Sequence, residues 1–442
     1  MKLILAIVLN AALLGLLVPW LRRQWQQAAP WGRAALVTGL GGRLGWGLFT
    51  ARHLTNDAFQ MSLYGKQLTA QLWADPSAAL QALLGNELHY GQYHMVFHGM
   101  SNTFFFTKII GILNLASLGS DFLNAAYLSV FSLVGCWVLA RTLAHTFPET
   151  PAWAGIIAFV VWPSAILWTS GVTKESVVVS SGAWLLAVAV RLFYGQVEMS
   201  WARRGALAVG GLALAVLHFK MRYFFAGPLI GALAALGVVR VVQRLGGARS
   251  RWAQVVLMGL VLSGGVWLVM EISVAFRVNK FVNQVSRIYA QDLQASVGRP
   301  HFEYPDLQPT LASIGRHVPL AVANALTRPW LGESAELRYV VVGLENTVLL
   351  ALLALALLAT ARGQGGRLPF GLVVALVVQC VVLAALLGLS TPNLGSLHRY
   401  RSGLLPYLLL LLLQNEYAGA ALRRLGWRTE TAWPAPPGSF PK

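Results

Sequence analysis

Nearly every charge in the middle of this chain sits at the end of a long apolar run, and the two sets of ends differ in the charges they carry. Leu-, Val- and Ala-rich stretches of about 17 to 22 residues, long enough as helices to cross a hydrocarbon layer of about 30 Å, follow one another with little soluble sequence between them. Lipid cannot satisfy backbone polar groups, so such runs fold as helices or as a closed barrel, and these lack the alternation of barrel strands. The 442 residues are 56% hydrophobic and 11% charged, more apolar surface than a soluble core can hide. The expected fold is therefore all-α, a polytopic helical membrane protein.

Runs near 3–20, 34–51, 122–141, 152–170, 175–191, 205–219, 223–241, 252–272, 340–361, 368–388 and 403–415 give about 11 transmembrane helices. The loops holding Arg22, Arg23 and Arg33, then Arg191, Arg203 and Arg204, then Arg240 to Arg251, then Arg362 and Arg367, and finally Arg423, Arg424 and Arg428 are basic with few acids, which assigns them to the cytoplasmic side. That assignment requires the apolar stretch 103–118 to be a re-entrant or interfacial helix that does not cross. All five aspartates (Asp57, Asp75, Asp121, Asp292, Asp306) then fall outside, although only Arg and Lys set the orientation. The resulting organisation is two helices (1–51), an external loop with interfacial helices (52–121), a transmembrane bundle (122–272), an external segment (273–339), C-terminal transmembrane helices (340–415) and a cytoplasmic tail (416–442) ending in TAWPAPPGSFPK. The net charge of +18 is spread over short loops, so anionic headgroups account for it and no nucleic acid is implied. Cys136 and Cys380 lie within apolar runs and read as buried small hydrophobes.

The remaining charges form short constellations on the external face. Asp57, in His53-Leu-Thr-Asn-Asp57, has the chemistry of a partly desolvated general base, and Thr55, Asn56 or Asp57 equally suits an N-cap. Lys174 and Glu175 follow a Gly-containing turn at a helix start, either a phosphate seat or a snorkelling lysine paired with its neighbour. His218, Lys220 and Arg222 crowd one turn and would repel without an anion between them, a lipid headgroup or a substrate phosphate. Arg399 and Arg401, after Asn393 and Ser396, are fork donors suited to phosphate. Arg328, Trp330 and Glu333, then Glu345 with Asn346, offer a stacking surface and carboxylates for sugar hydroxyls, or an internal ion pair and an interfacial anchor. His94 and His98 stand at helical i and i+4 with His89 nearby, but metal ligation needs a third ligand that the sequence does not identify. The chain contains no phosphate loop, dinucleotide fingerprint, Gly-x-Ser-x-Gly elbow or Cys-x-x-Cys.

An early external loop with an aspartate near its start, a short horizontal apolar helix within it, and later external turns rich in Lys and Arg resemble the GT-C superfamily of integral-membrane glycosyltransferases. The strings Gly41-Gly-Arg-Leu-Gly45 to Asp57, Trp168 to Glu175, Arg328-Pro-Trp330 with Glu333, Glu345-Asn346, and Asn393 to Arg401 look like those of an uncharacterised bacterial branch, over about 34–415. The resemblance implies a polyprenyl-phosphate or diphosphate sugar donor and inverting transfer to a glycan, lipid or protein acceptor outside the bacterial cytoplasmic (inner) membrane. Asp57 matches the first-loop acid that serves as base, and it stands alone after Asn56 where many members carry a second acid. Lys174, Lys220, Arg222, Arg399 and Arg401 would hold phosphate, and Glu175, Arg328, Trp330, Glu333, Glu345 and Asn393 would contact substrate. No cofactor or metal is required, because fixed cations can neutralise one phosphate. The alternatives are a Wzy-like polysaccharide polymerase or ligase, and a transporter or flippase for a lipid-linked glycan.

Overall fold

The computed structural model describes residues 1–91, 93–97, 99, 101–195, 199–272 and 277–424. Among these the chain forms nineteen helices and one β-hairpin. The first half comprises α1 (Lys2–Gln27), α2 (Pro30–Arg52), α3 (Asn56–Ala74), α4 (Pro76–Leu84), the hairpin β1 (Glu87–Tyr90) and β2 (Tyr93–Val96), α5 (Asn102–Ser117), α6 (Asp121–Thr146), α7 (Ala152–Ile156), a π-helical turn (Ile157–Val161), α8 (Pro163–Trp168), α9 (Lys174–Tyr194) and α10 (Trp201–Met221). The second half comprises α11 (Tyr223–Arg244), α12 (Arg251–Ile272), α13 (Val278–Gln294), α14 (Leu311–Thr327), α15 (Leu337–Ala361), α16 (Phe370–Ser390), α17 (Leu394–Arg401), α18 (Leu405–Leu413) and α19 (Glu416–Arg424).

Eight of these, α1, α6, α9, α10, α11, α12, α15 and α16, are long and apolar enough to cross a membrane, which makes the chain a helical membrane protein. Helices α6, α9 and α16 are the most enclosed, and α1 and α12 are peripheral. The main packing pairs are α6 with α9, α3 with α5, α14 with α16, α9 with α10, and α2 with α6.

Three of the eleven expected spans lie outside this set of eight. Helix α2 forms, but Arg33, Arg43 and Arg52 fall within it. Helix α18 has nine residues and rises roughly 14 Å. The run 152–170 is not one helix, because Pro163 can neither donate to the carbonyl of Phe159 nor sit without clash inside a helix. Arg43 fills the gap. It is fully buried and donates to the carbonyls of Val160 at 2.7 Å and Phe159 at 2.8 Å, taking over acceptors that the broken helix leaves open. These two hydrogen bonds help tie α2 to the break and explain an arginine among glycines in an apolar helix.

The stretch 103–118 is helical as α5, and it packs against α3, α1, α6 and α10. Segment 273–339 contains, where described, two 17-residue helices, α13 and α14, joined by an irregular stretch that bridges back through His301 to Asn393, and then a loop leading into the start of α15. The tail beyond Arg424, with TAWPAPPGSFPK, lies outside the described residues.

Candidate functional site

One end of the bundle gathers charge from four separated stretches. Thr55 caps α3 and starts it beside Asp57, Thr173 caps α9 and places Lys174 and Glu175 in its first turn, the kinked joint between α10 and α11 carries Arg222, and Asn393 caps the short α17 that carries Arg399. The turn before α9 depends on Gly171, whose φ of +77° suits glycine, and whose backbone sits against α2 so closely that a Cβ would meet Thr50 Oγ1 at 2.8 Å. Its N–H is held at 2.9 Å by Ser129 Oγ.

Glu175 is the hub. Its side chain is 4% exposed and accepts from Arg222 Nη2 at 2.7 Å and from Arg399 Nε and Nη2 at 3.0 and 3.1 Å. A carboxylate this buried is tolerated because two guanidinium groups, one of them bidentate, replace its water. Arg222 also lies over the rings of Tyr400 at 4.4 Å and Phe225 at 5.0 Å, which fixes its plane. Burial disfavours charge on Arg399, but the Glu175 carboxylate more than offsets it and holds the guanidinium above its ordinary value. Asp57 Oδ2 lies 4.0 Å from Arg399 Nη1. Lys174 points away from its neighbour, donating to Asn102 Oδ1 at 3.0 Å and Thr103 Oγ1 at 2.8 Å at the start of α5. Three cations thus face two carboxylates.

Beside this cluster is a cavity of about 200 Å³ whose walls include Phe104, Phe105, Phe219 and Tyr223, with Lys108 and Lys220 also lining it. Burial and the nearby Lys220 ammonium both lower the pKa of Lys108. The cavity adjoins the charged cluster through chain continuity, since Asn102 and Thr103 precede Phe104, and Arg222 follows Lys220 by two residues.

A second network centres on Glu345. Glu345 accepts from Ser164 Oγ at 2.5 Å and from Trp162 Nε1, while His398 Nε2 stands 3.8 Å away, within ion-pair reach but too far for a hydrogen bond. Trp168 Nε1 donates to His398 Nδ1 at 3.0 Å. Burial lowers the His398 pKa against the opposing pull of Glu345.

Several sequence readings need correction. Asp57 is 71% exposed, where the sequence reading had it partly buried at the membrane surface. Lys174 and Glu175 do not pair with each other. His218, Lys220 and Arg222 do not converge on one point: His218 turns inward onto Ser181 Oγ at 2.9 Å, Lys220 lines the cavity, and Arg222, extended at the joint between the helices, reaches Glu175. Arg401 is buried and donates to the carbonyl of Arg328 at 3.0 Å, away from Arg399 across the turn of α17. Burial pulls its guanidinium down to about 10 against the opposing Glu345 carboxylate. Asn393 spends its side chain on the cap of α17 and on Ser296 Oγ at 3.1 Å. Arg328 pairs with Glu333 at 3.3 Å, which is the internal ion pair, and lies over half-exposed Trp330 at 4.7 Å. Glu345 lies past the second turn of α15, which starts earlier than read, and Asn346 is spent on the carbonyls of Thr327 and Pro329. His94 stands in β2, so no helical spacing relates it to His98, which lies outside the described residues.

Sequence reasoning missed Asn102, Thr103 and Lys108. The polar Asn102-Thr103 pair opening an apolar helix was the available signal for two of them. No family model, curated protein or solved structure matches the chain, so the site is read from its own chemistry.

Proposed function

We propose that this protein is a GT-C-like inverting glycosyltransferase of the bacterial inner membrane, which moves a sugar from a polyprenyl-phosphate donor to an acceptor on the outer face. The span count of about eleven, with α5 as an interfacial helix, belongs to this proposal. The observation that carries it is the meeting of Asp57, Lys174, Arg222 and Arg399, distant in sequence, around one buried glutamate beside an aromatic cavity with two lysines.

In this reading the aromatic cavity takes the first prenyl units. Lys108 and Lys220 approach the phosphate from that side, and Arg399 and Lys174 from the other. The acceptor hydroxyl attacks the anomeric carbon as the bond from that carbon to the phosphate oxygen breaks. Asp57 takes the hydroxyl proton, and the polyprenyl phosphate leaves with the bonding pair, its new charge met by the fixed cations. Glu175 acts by orienting the two guanidinium groups and does not touch the sugar. Arg399 sits between Glu175 and Asp57, so an arriving phosphate competes with both carboxylates for its guanidinium. Such chemistry needs no metal at the leaving group.

The test is transfer in proteoliposomes supplied with mixed polyprenyl-phosphate sugars, comparing the parent with Asp57→Asn. A loss of about 10²- to 10⁴-fold, with donor binding retained, is the expected result for a general base. Near-normal turnover in the variant excludes Asp57 as base and favours the polymerase or ligase reading, while translocation without bond cleavage favours a flippase.

A further inference from the structure

The β1–β2 hairpin has two faces, set by the alternation of a strand. Its register pairs Leu88 with Met95 and His89 with His94. Leu88 is fully buried in a small core with Leu68, Ala82 and Phe104, and Phe97 beyond β2 stacks on Phe104 at 4.3 Å. The opposite face carries Glu87, His89 and His94, all exposed. Glu87 and His89 share that face as residues i and i+2, and His94 joins them from directly across the ladder.

These three side chains do not splay into solvent. Both Nε2 atoms converge on a single carboxylate oxygen, Glu87 Oε2, at 3.1 Å from His89 and 3.2 Å from His94. The imidazoles stack with centroids 3.8 Å apart and planes 18° from parallel. The ligand atoms of all three lie within 4.8 Å of one another. In a tetrahedral site with metal bonds of about 2.0 to 2.1 Å, neighbouring ligand atoms are about 3.3 Å apart, so two of the three separations already match such an edge.

We propose that Glu87, His89 and His94 form a binding site for a divalent transition-metal ion of the zinc class on the outer face of this hairpin. Two imidazole nitrogens and one carboxylate oxygen select a borderline ion such as Zn²⁺ or Co²⁺ over Mg²⁺ or Ca²⁺, which prefer all-oxygen sets. On binding, each neutral imidazole carries its proton on Nδ1 and gives the Nε2 lone pair to the ion, and water completes the coordination. The site is separate from the cations around Glu175 and does not depend on what they bind. Its effect is on the hairpin: an ion joining β1 to β2 fixes the strands whose inner face packs on Phe104, a wall of the aromatic cavity.

The test uses the full chain in detergent with its affinity tag removed, stripped with chelator, and titrated with Co²⁺ followed by displacement with Zn²⁺. The expected result is a visible Co²⁺ absorption saturating at one equivalent, lost on Zn²⁺ addition. His89→Gln with His94→Gln, and separately Glu87→Gln, should each weaken binding by at least about tenfold, the loss usual even for outer-shell partners of a metal site. In parallel, Zn²⁺ should raise the thermal unfolding temperature of the parent and not of the double variant, which also reports that the variant folds. A parent that takes up no Co²⁺ or Zn²⁺, or binding as strong as the parent's in the histidine double variant or in Glu87→Gln, overturns the proposal.

Discussion

Glu175→Gln changes one atom and removes one charge, and the structure sets the size of the consequence. The carboxylate is almost wholly enclosed and accepts three N–H groups from Arg222 and Arg399 at 2.7 to 3.1 Å. Removing one partner of a buried ion pair costs about 3 to 5 kcal/mol, because the other is left buried without compensation. The amide of Gln keeps one oxygen acceptor, and Arg399 retains Asp57 at 4.0 Å, so the loss should fall near the lower end, about 3 kcal/mol. The assay is reversible unfolding in detergent with SDS, applied to Glu175→Gln, Arg399→Met and the double variant. If the pair is the organising contact, the double variant loses less than the sum of the single ones by about 2 kcal/mol. A Glu175→Gln protein within about 0.5 kcal/mol of the parent, the range of an ordinary surface change, would refute the claim that this glutamate holds the site together.

Two further outcomes follow from other parts of the fold. Gly388 in α16 lies against the backbone of Ala321 in α14, where an added Cβ would collide with main-chain atoms that cannot rotate away, so Gly388→Ala should destabilise by about 1 to 3 kcal/mol in the same unfolding assay, and an unchanged protein would show that the two helices separate freely. Burial lowers the pKa of His398 from the ordinary 6.5, with Arg401 adding to the effect and Glu345 opposing it. Below about 6.5 the unfolded chain binds the proton more readily than the folded one, so stability is full above that pH and is lost as pH falls toward the folded value. His301 is shifted the other way by its contacts with Arg299 and Glu303, so the measurement is the difference between parent and His398→Gln across pH 5 to 8, which should close as the pH drops.

How much of this was legible in the sequence follows from what each contact depends on. Helical membrane character, the caps at Thr55 and Thr173, and the gathering of charge at one end are local: each is set by an apolar run and the residues at its ends. Partner choice is not local. Lys174 and Glu175 are adjacent, and adjacency made them look like a pair, but successive side chains on a helix diverge by about 100°, so one reaches α5 and the other reaches Arg222 at the α10–α11 joint and Arg399 in α17. The same rotation separates Arg399 from Arg401, sending one toward Asp57 and the other into the protein. Arg43 was visible as an anomaly, an arginine in an apolar run, but its meaning required knowing that Pro163 breaks a helix more than a hundred residues away and that the freed carbonyls point at α2.

The hairpin shows the converse failure, where a local pattern was read with the wrong period. Taken as helix, the stretch from Glu87 to His98 pairs His94 with His98. Taken as strand, its alternation places Glu87, His89 and His94 together and sends Leu88 and Met95 to the other face. A run this short holds too few apolar residues to choose between periods. What decides is the tight turn at Gly91, whose φ of +60° reverses the chain after four residues and leaves no length for a helix. The choice of period is also the choice of chemistry, since only the strand reading supplies a third ligand.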